Sequence, residues 1–90
     1  MPGPEGETEE GFKEYVRNNA STVYHPCGTA RMGTDARAVT DPDGLRVRGL
    51  EGLRVVDASV MPMVPSSNIH PATIMVAEKA SDAIKASLKA

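Results

Sequence analysis

The chain has 90 residues, of which 40% are hydrophobic and 24% are charged, and its formal net charge is -2. This balance is typical of an ordinary folded protein and excludes the class of highly charged, apolar-poor disordered tails. Lysine and arginine are spread along the chain, so we expect neither nucleic acid nor a membrane as a partner. The single cysteine excludes an internal disulfide, and no apolar run has the length of a membrane span, which favours a cytoplasmic location.

The N-terminal region is predicted to contain one short helix. Residues 1–8 hold two prolines and two glycines, so we predict a disordered leader there. Thr8 followed by two glutamates is typical of a helix start, and the helix should cover about residues 9–19. Its apolar residues fall on one face at spacings of three and four. They are Phe12, Tyr15, Val16 and Ala20.

The middle of the chain is predicted to consist of loops and one pair of strands. The β-branched and aromatic stretch 21–24 should be extended, and the glycines and Pro42 predict loops with a tight turn across 27–44. Residues 45–48 alternate apolar and basic side chains, whereas 53–57 begin with a mostly apolar run. A turn at 49–52 would make these two strands a compact hairpin-like pair.

The last element is predicted to be a long helix over about residues 71–88. Pro71 suits the first position of a helix because the N–H that it lacks would have no partner there. One stripe of the helix is apolar and should face the core. The stripe consists of Ile74, Ala77, Ala80, Ile84 and Leu88. The order of short helix, loops, two-strand segment and long helix places the chain in the α+β class.

Both histidines stand immediately before a proline, in stretches that we predict to be irregular. Imidazole titrates near neutral pH, so His25 and His70 are candidates for general acid–base catalysis. His70 should also be the N-cap of the long helix, where the partial positive charge of the helix end stabilises an anion. Surface or capping histidines would show the same spacing, so the residues alone leave a structural role open.

A metal site is the other chemistry that these residue types allow. Zinc is bound by such side chains, and a four-ligand set would consist of His25, Cys27, Asp57 and His70. The paired ligand spacing of zinc fingers is absent from the sequence, so we expect no metal and interpret Cys27 as a packing residue. The stretch 41–44 lacks the spaced carboxylates of a calcium loop and is interpreted as a turn.

Two segments resemble the closing sequence blocks of the glucose–methanol–choline (GMC) oxidoreductase family. The first is 24–33, YHPCGTARMG, and the second is 49–75, which includes GLEGLRVVDASVMP and SNIHPATIM. The resemblance spans roughly 9–88 and is strongest to choline-dehydrogenase-like and alcohol-dehydrogenase members. It implies that 9–44 belong to a substrate domain and that 45–90 return to an FAD-binding domain. The chain would thus complete the FAD-binding α/β and substrate domains of a larger enzyme.

The resemblance also implies a reaction and a role for individual residues. Family members oxidise the CH–OH group of an alcohol by hydride transfer to flavin N5. His25 matches the general base that takes the hydroxyl proton, and His70 matches a residue that assists by hydrogen-bonding the developing alkoxide. Choline-type members often have Asn at the position of His70, which weakens choline as the substrate. The implied FAD-binding positions are Asp57, Ala58, Pro71 and Ala72.

The Gly-rich fingerprint of FAD-binding domains, G-x-G-x-x-G, does not occur in the sequence. The resemblance therefore implies that FAD is held mostly by residues outside this chain and that the isolated chain is inactive. We expect its partner to be an N-terminal FAD-binding portion or, through uncovered apolar faces, a second copy. A natural truncation, a split subunit and a cut piece of a longer enzyme remain open. The alternative function is a catalytically inactive module that acts through protein–protein association.

Overall fold

The computed structural model describes residues 3–89, apart from the side chain of Glu5. Helix α1 covers Glu9–Asn19 and helix α2 covers Ile69–Leu88, with short 3-10 helices at Pro4–Glu7 and Ala58–Val60. The molecule measures 65 × 27 × 15 Å and has a radius of gyration of 18.9 Å. A compact domain of this length would have a radius of gyration of about 12 Å. The chain is therefore elongated, with one small core near α2.

Helix α1 begins and ends as the sequence predicts. The Thr8 hydroxyl accepts a hydrogen bond from the Gly11 N–H at 3.1 Å, which satisfies one of the unpaired donors of the first turn. No residue of α1 is buried, and Pro4–Glu7 is the one helical segment that α1 contacts among residues 3–89. That 3-10 helix lies where we expected a disordered leader. Pro4 occupies its first turn, where the fixed φ of proline suits a helix start, while residues 1 and 2 lie outside the described part.

The predicted strand pair is present only as a short antiparallel contact. Arg46 and Arg54 form a bridge, flanked by hydrogen bonds from Val47 N to Leu53 O at 2.9 Å and from Val55 N to Leu45 O at 3.1 Å. Between residues 3 and 89 such bridges remain isolated and no regular strand forms. The predicted strands are therefore too long. The left-handed φ of +56° at Leu45 interrupts the extended backbone that a ladder needs.

Thr40 joins this strand contact to the preceding loop. It bridges Met32 on one side and Val47 on the other, and it is fully buried. Its hydroxyl donates to the Ala30 carbonyl at 3.1 Å, so the buried polar atom is satisfied. The turn that follows is the predicted one, with the Gly44 N–H donating to Asp41 Oδ1 at 2.6 Å.

The core lies where α2 packs against the Ala58–Val60 helix. It consists of Leu45, Val60, Met61, Val76 and Ala80. The predicted stripe of α2 is therefore only partly correct. Ala80 is buried and Ile84 half-buried, but Ile74, Ala77 and Leu88 are exposed. Because α2 is apolar on more than one side, spacing alone did not determine which side meets the core; the Ile69, Ala72 and Val76 side does.

Arg54 fixes the far end of α2 to the rest of the molecule. Its Nη1 donates to the Gly44 carbonyl, and its Nη2 donates to Ser87 Oγ at 3.3 Å. One side chain thus links the strand contact, the turn and the last turn of α2. In the residues that the structure describes, neither helix has the length and apolar character needed to cross a membrane.

Candidate functional site

His25 is half-buried and lies in a loop whose backbone is constrained on both sides. The preceding residue, Tyr24, has a φ of +60°, and its N–H donates to Thr22 Oγ1 at 3.0 Å. The following residue, Pro26, disfavours helical backbone at His25. Cys27 is half-buried and packs against the core, which confirms its interpretation as a packing residue. His25 therefore lies two residues before a side chain that packs against the core.

The chain after His25 is hydrogen-bonded along the segment 58–60. The N–H groups of Gly28, Ala30 and Met32 donate to the carbonyls of Ala58, Ser59 and Val60 at 3.3, 2.9 and 2.8 Å. Gly28 has a φ of +85°, and a Cβ atom placed there would lie 3.2 Å from the Met61 carbonyl oxygen. Glycine is thus favoured by both the backbone conformation and the close approach. These bonds join the two segments that carry the family resemblance.

Asp57 and Ala58 lie at the start of the 3-10 helix. Asp57 is its N-cap, and its Oδ1 accepts the Ser59 N–H at 2.7 Å. Hydrogen bonds from the Ser59 side chain and backbone hold the pKa of the Asp57 carboxyl below its usual range. Asp57 is exposed, whereas Ala58 is half-buried against the core. The Asp57 carboxylate thus has a structural role as a cap, whatever else it contacts.

His70 is not the N-cap of α2, which corrects the sequence-based prediction. The cap is Asn68, whose Oδ1 accepts the His70 N–H at 2.9 Å, and the helix starts at Ile69. Asn is among the strongest N-cap residues, and Pro71 is tolerated within the first turn because its missing N–H would be unpaired there. His70 and Pro71 are exposed, and Ala72 is half-buried against the core.

The three predicted site segments border one core. Cys27, Ala58 and Ala72 all pack against the cluster around Val60, so the segments that carry His25, Asp57 and His70 border the same core. The zinc alternative is not assembled. Across residues 3–89, no three His, Cys, Asp or Glu side chains lie close enough together to hold a metal ion.

Two cavities of the described residues lie away from the predicted site. One of about 260 Å³ lies between α2 and the 42–45 turn, and one of about 310 Å³ lies beside the strand contact. Neither is lined by His25, Asp57 or His70.

Two features of the site segments could not be predicted from the sequence. Thr40 supports the loop after His25 through the Ala30 carbonyl, and an interior threonine in a predicted loop gave no signal of this role. Tyr24 adopts left-handed backbone immediately before His25, and an aromatic residue is among the least expected there. The short turn from Thr22 to Tyr24 can be recognised from the backbone structure but not from the sequence.

Comparison with known proteins extends these observations. Residues 1–77 match the family described as GMC oxidoreductase. The chain is 55% identical over 84 residues to the oxygen-dependent choline dehydrogenase of Cronobacter sakazakii, covering 93% of this chain and 15% of that protein. The oxygen-dependent choline dehydrogenase of Escherichia coli (strain UTI89 / UPEC) gives the same identity and coverage. The chain thus spans about 15% of the length of these curated relatives. With most of its residues matched and the signature segments packed together, the chain belongs to the GMC oxidoreductase family.

Proposed function

We propose that this chain supplies the proton-handling part of an FAD-dependent oxidoreductase that oxidises the CH–OH group of an alcohol. The observation that carries the proposal is the packing of the His25 loop, the Ala58–Val60 helix and the start of α2 around one core. Such an arrangement lets loops present polar side chains from a fixed support. The identity to choline dehydrogenases favours this function over an inactive association module.

GMC oxidoreductases are generally FAD flavoproteins, and the residues present fit a small part of a flavin site. Ala58 and Ala72 are small, so a planar ring could approach the backbone beside them. The N-terminal end of α2 carries partial positive charge, which suits an electron-rich group next to the exposed His70 and Pro71. Asp57 is engaged with Ser59, so we propose that its contact with FAD is made by its backbone rather than its carboxylate.

When bound, FAD supplies the hydride acceptor at flavin N5. His25 acts as the general base and takes the proton of the substrate hydroxyl. His70 donates a hydrogen bond to the oxygen as negative charge develops there. Imidazole is the side chain most often used as a general base in proteins, which suits His25 to the first role.

Replacing the base tests the proposal. In the complete flavin-loaded enzyme that contains this segment, His25→Ala should lower the turnover of alcohol by about 10²–10⁴-fold while the flavin content stays largely unchanged. Added imidazole should restore part of the lost rate. His70→Asn is the matched control, because an amide can still donate to the alkoxide and should preserve most of the turnover.

Unchanged turnover of His25→Ala would remove His25 from the mechanism. The assay should include both choline and simple primary alcohols. The similar proteins are named choline dehydrogenases, whereas His70 stands where choline-type members often have Asn and so argues against choline as the substrate.

The isolated chain should show neither flavin absorbance nor dye reduction until an N-terminal FAD-binding portion is added. Without that portion we expect it to self-associate through its exposed apolar faces, and a monodisperse monomer in light scattering would contradict this.

A further inference from the structure

Among the described residues, two non-glycine residues have positive φ, and their surroundings differ sharply. Leu45, at +56°, is 7% exposed, so burial of its side chain offsets the disfavoured backbone. Tyr24, at +60°, is 81% exposed, and its side chain gains little from packing within this chain. For a bulky residue a left-handed φ is an outlier, and such outliers cluster at functional sites. Something other than packing of its ring maintains the conformation of Tyr24.

The constraint comes from the backbone on both sides of His25. Upstream, Thr22 Oγ1 accepts the Tyr24 N–H at 3.0 Å and closes a short turn. Downstream, Pro26 restricts the chain, and Gly28 N–H is bonded to the Ala58 carbonyl at 3.3 Å. His25 thus lies between a local turn at 22–24 and a segment that is hydrogen-bonded to the Ala58–Val60 helix.

We propose that the left-handed backbone at Tyr24 is a positioning element for the His25 imidazole. This inference rests on the proposed function, in which His25 is the general base. A base must lie within hydrogen-bond reach of the proton that it removes, and a small displacement costs rate without changing the chemistry. Tyr24 acts through its backbone conformation in this proposal, and its ring is not required.

A series of substitutions at Tyr24 separates backbone conformation from the ring. Asn tolerates left-handed backbone better than other non-glycine residues, whereas β-branched Val strongly disfavours it. In the flavin-loaded enzyme, Tyr24→Val should lower kcat by about 10–100-fold with KM and flavin content little changed. Tyr24→Asn should retain kcat within about threefold of the original enzyme. Val23→Ala, at the neighbouring exposed residue, is the control for a change in this loop.

The solvent deuterium isotope effect on kcat distinguishes a displaced His25 imidazole from a loss of stability. If Tyr24→Val displaces the base, proton removal becomes slower and limits turnover more, so the solvent deuterium isotope effect on kcat should rise. Tyr24→Asn should leave the isotope effect unchanged. Thermal unfolding of the same variants reports any purely structural effect. A fall in the unfolding midpoint with an unchanged isotope effect would overturn the proposal.

A second pair of variants decides the matter if Tyr24→Val does not fold. Thr22→Val removes the acceptor for the Tyr24 N–H at nearly constant shape, and Thr22→Ser keeps it. The first should lower kcat and raise the isotope effect, and the second should do neither. Equal kcat values and equal isotope effects in Thr22→Val and Thr22→Ser would overturn the proposal. Equal losses of kcat in Tyr24→Asn and Tyr24→Val would also overturn it, because they would assign the role to the ring.

The outcomes separate this inference from the function on which it rests. A fully active His25→Ala would overturn both. An inactive His25→Ala combined with a fully active Tyr24→Val would leave the function standing and overturn the role of Tyr24 alone.

Discussion

Two regions of the molecule contain amphipathic helices, and they differ in what those helices bury. The arm, residues 4–19, has a helix whose apolar residues Phe12 and Val16 remain exposed. The body, residues 27–88, has a helix that buries Val76 and Ala80 against the Ala58–Val60 segment. An apolar face thus predicts that a helix forms, but its partner must come from other parts of the fold. Asp57 and His70 of the candidate site lie in the body, and His25 lies two residues before it.

The same substitution in each region gives the largest contrast. Val60→Ala removes apolar atoms from a fully buried position and should destabilise the chain by about 2–3 kcal/mol. Val16→Ala, at a residue that is 41% exposed, should cost less than about 0.5 kcal/mol. Urea unfolding followed by circular dichroism measures both. Equal losses of unfolding free energy in the two variants would mean that the arm is packed in solution. The arm and the body would then not differ in burial.

Glycine-to-alanine changes should differ in sign between the regions. Gly28→Ala adds a Cβ to left-handed backbone beside the Met61 carbonyl, so it should destabilise by about 1–2 kcal/mol. Gly11→Ala lies within α1 and should stabilise that helix by up to about 1 kcal/mol, because alanine has the higher helix propensity. Thermal unfolding of both variants checks the signs. A neutral Gly28→Ala would argue that the bonds to 58–60 are not maintained.

Charge effects should be the smallest and should again distinguish the regions. Hydrogen bonds and charge from Arg46 lower the pKa of Asp41 to about 2, aided by the Gly44 N–H. In an unfolded chain the pKa of an Asp side chain is about 3.9. The folded pKa is the lower one, so this stabilisation is complete above about pH 4 and is lost as pH falls towards 2.

Asp41→Asn should therefore cost about 0.5–1 kcal/mol at neutral pH, and the difference from the original chain should vanish near pH 2. Glu9→Gln breaks an exposed ion pair with Lys13 in the arm and should have almost no effect at any pH. Unfolding at several pH values measures both variants. A constant difference for Asp41→Asn across the range would be inconsistent with a lowered pKa.

Local signals in the sequence predicted local structure well. The Thr8 cap placed α1 correctly, and the predicted tight turn at 41–44 formed, with the Gly44 N–H donating to Asp41 Oδ1. The start of α2 was wrong by two residues because Asn68 competes with His70 as a cap. The strand pair was predicted too long, since nothing in the sequence indicates left-handed backbone at Leu45.

The candidate site shows the same difference between what local sequence signals predict and what depends on distant contacts. The resemblance of 24–33 and 49–75 supplied the family and the candidate residues, and the comparisons confirm the family. The roles of His25, His70, Asp57 and Ala72 remain predictions. Thr40 was missed because it serves the site through one buried hydrogen bond that depends on how distant segments meet.

The sequence by itself determined the helices, the tight turn and the family, because caps, turn residues and motifs act over a few neighbouring positions. Tertiary structure alone decided which side of α2 is buried and which loops border one core. Both depend on contacts between residues far apart in the chain, such as Cys27, Val60 and Ala72. Spacing leaves several such packings open, and close packing of the whole body selects one.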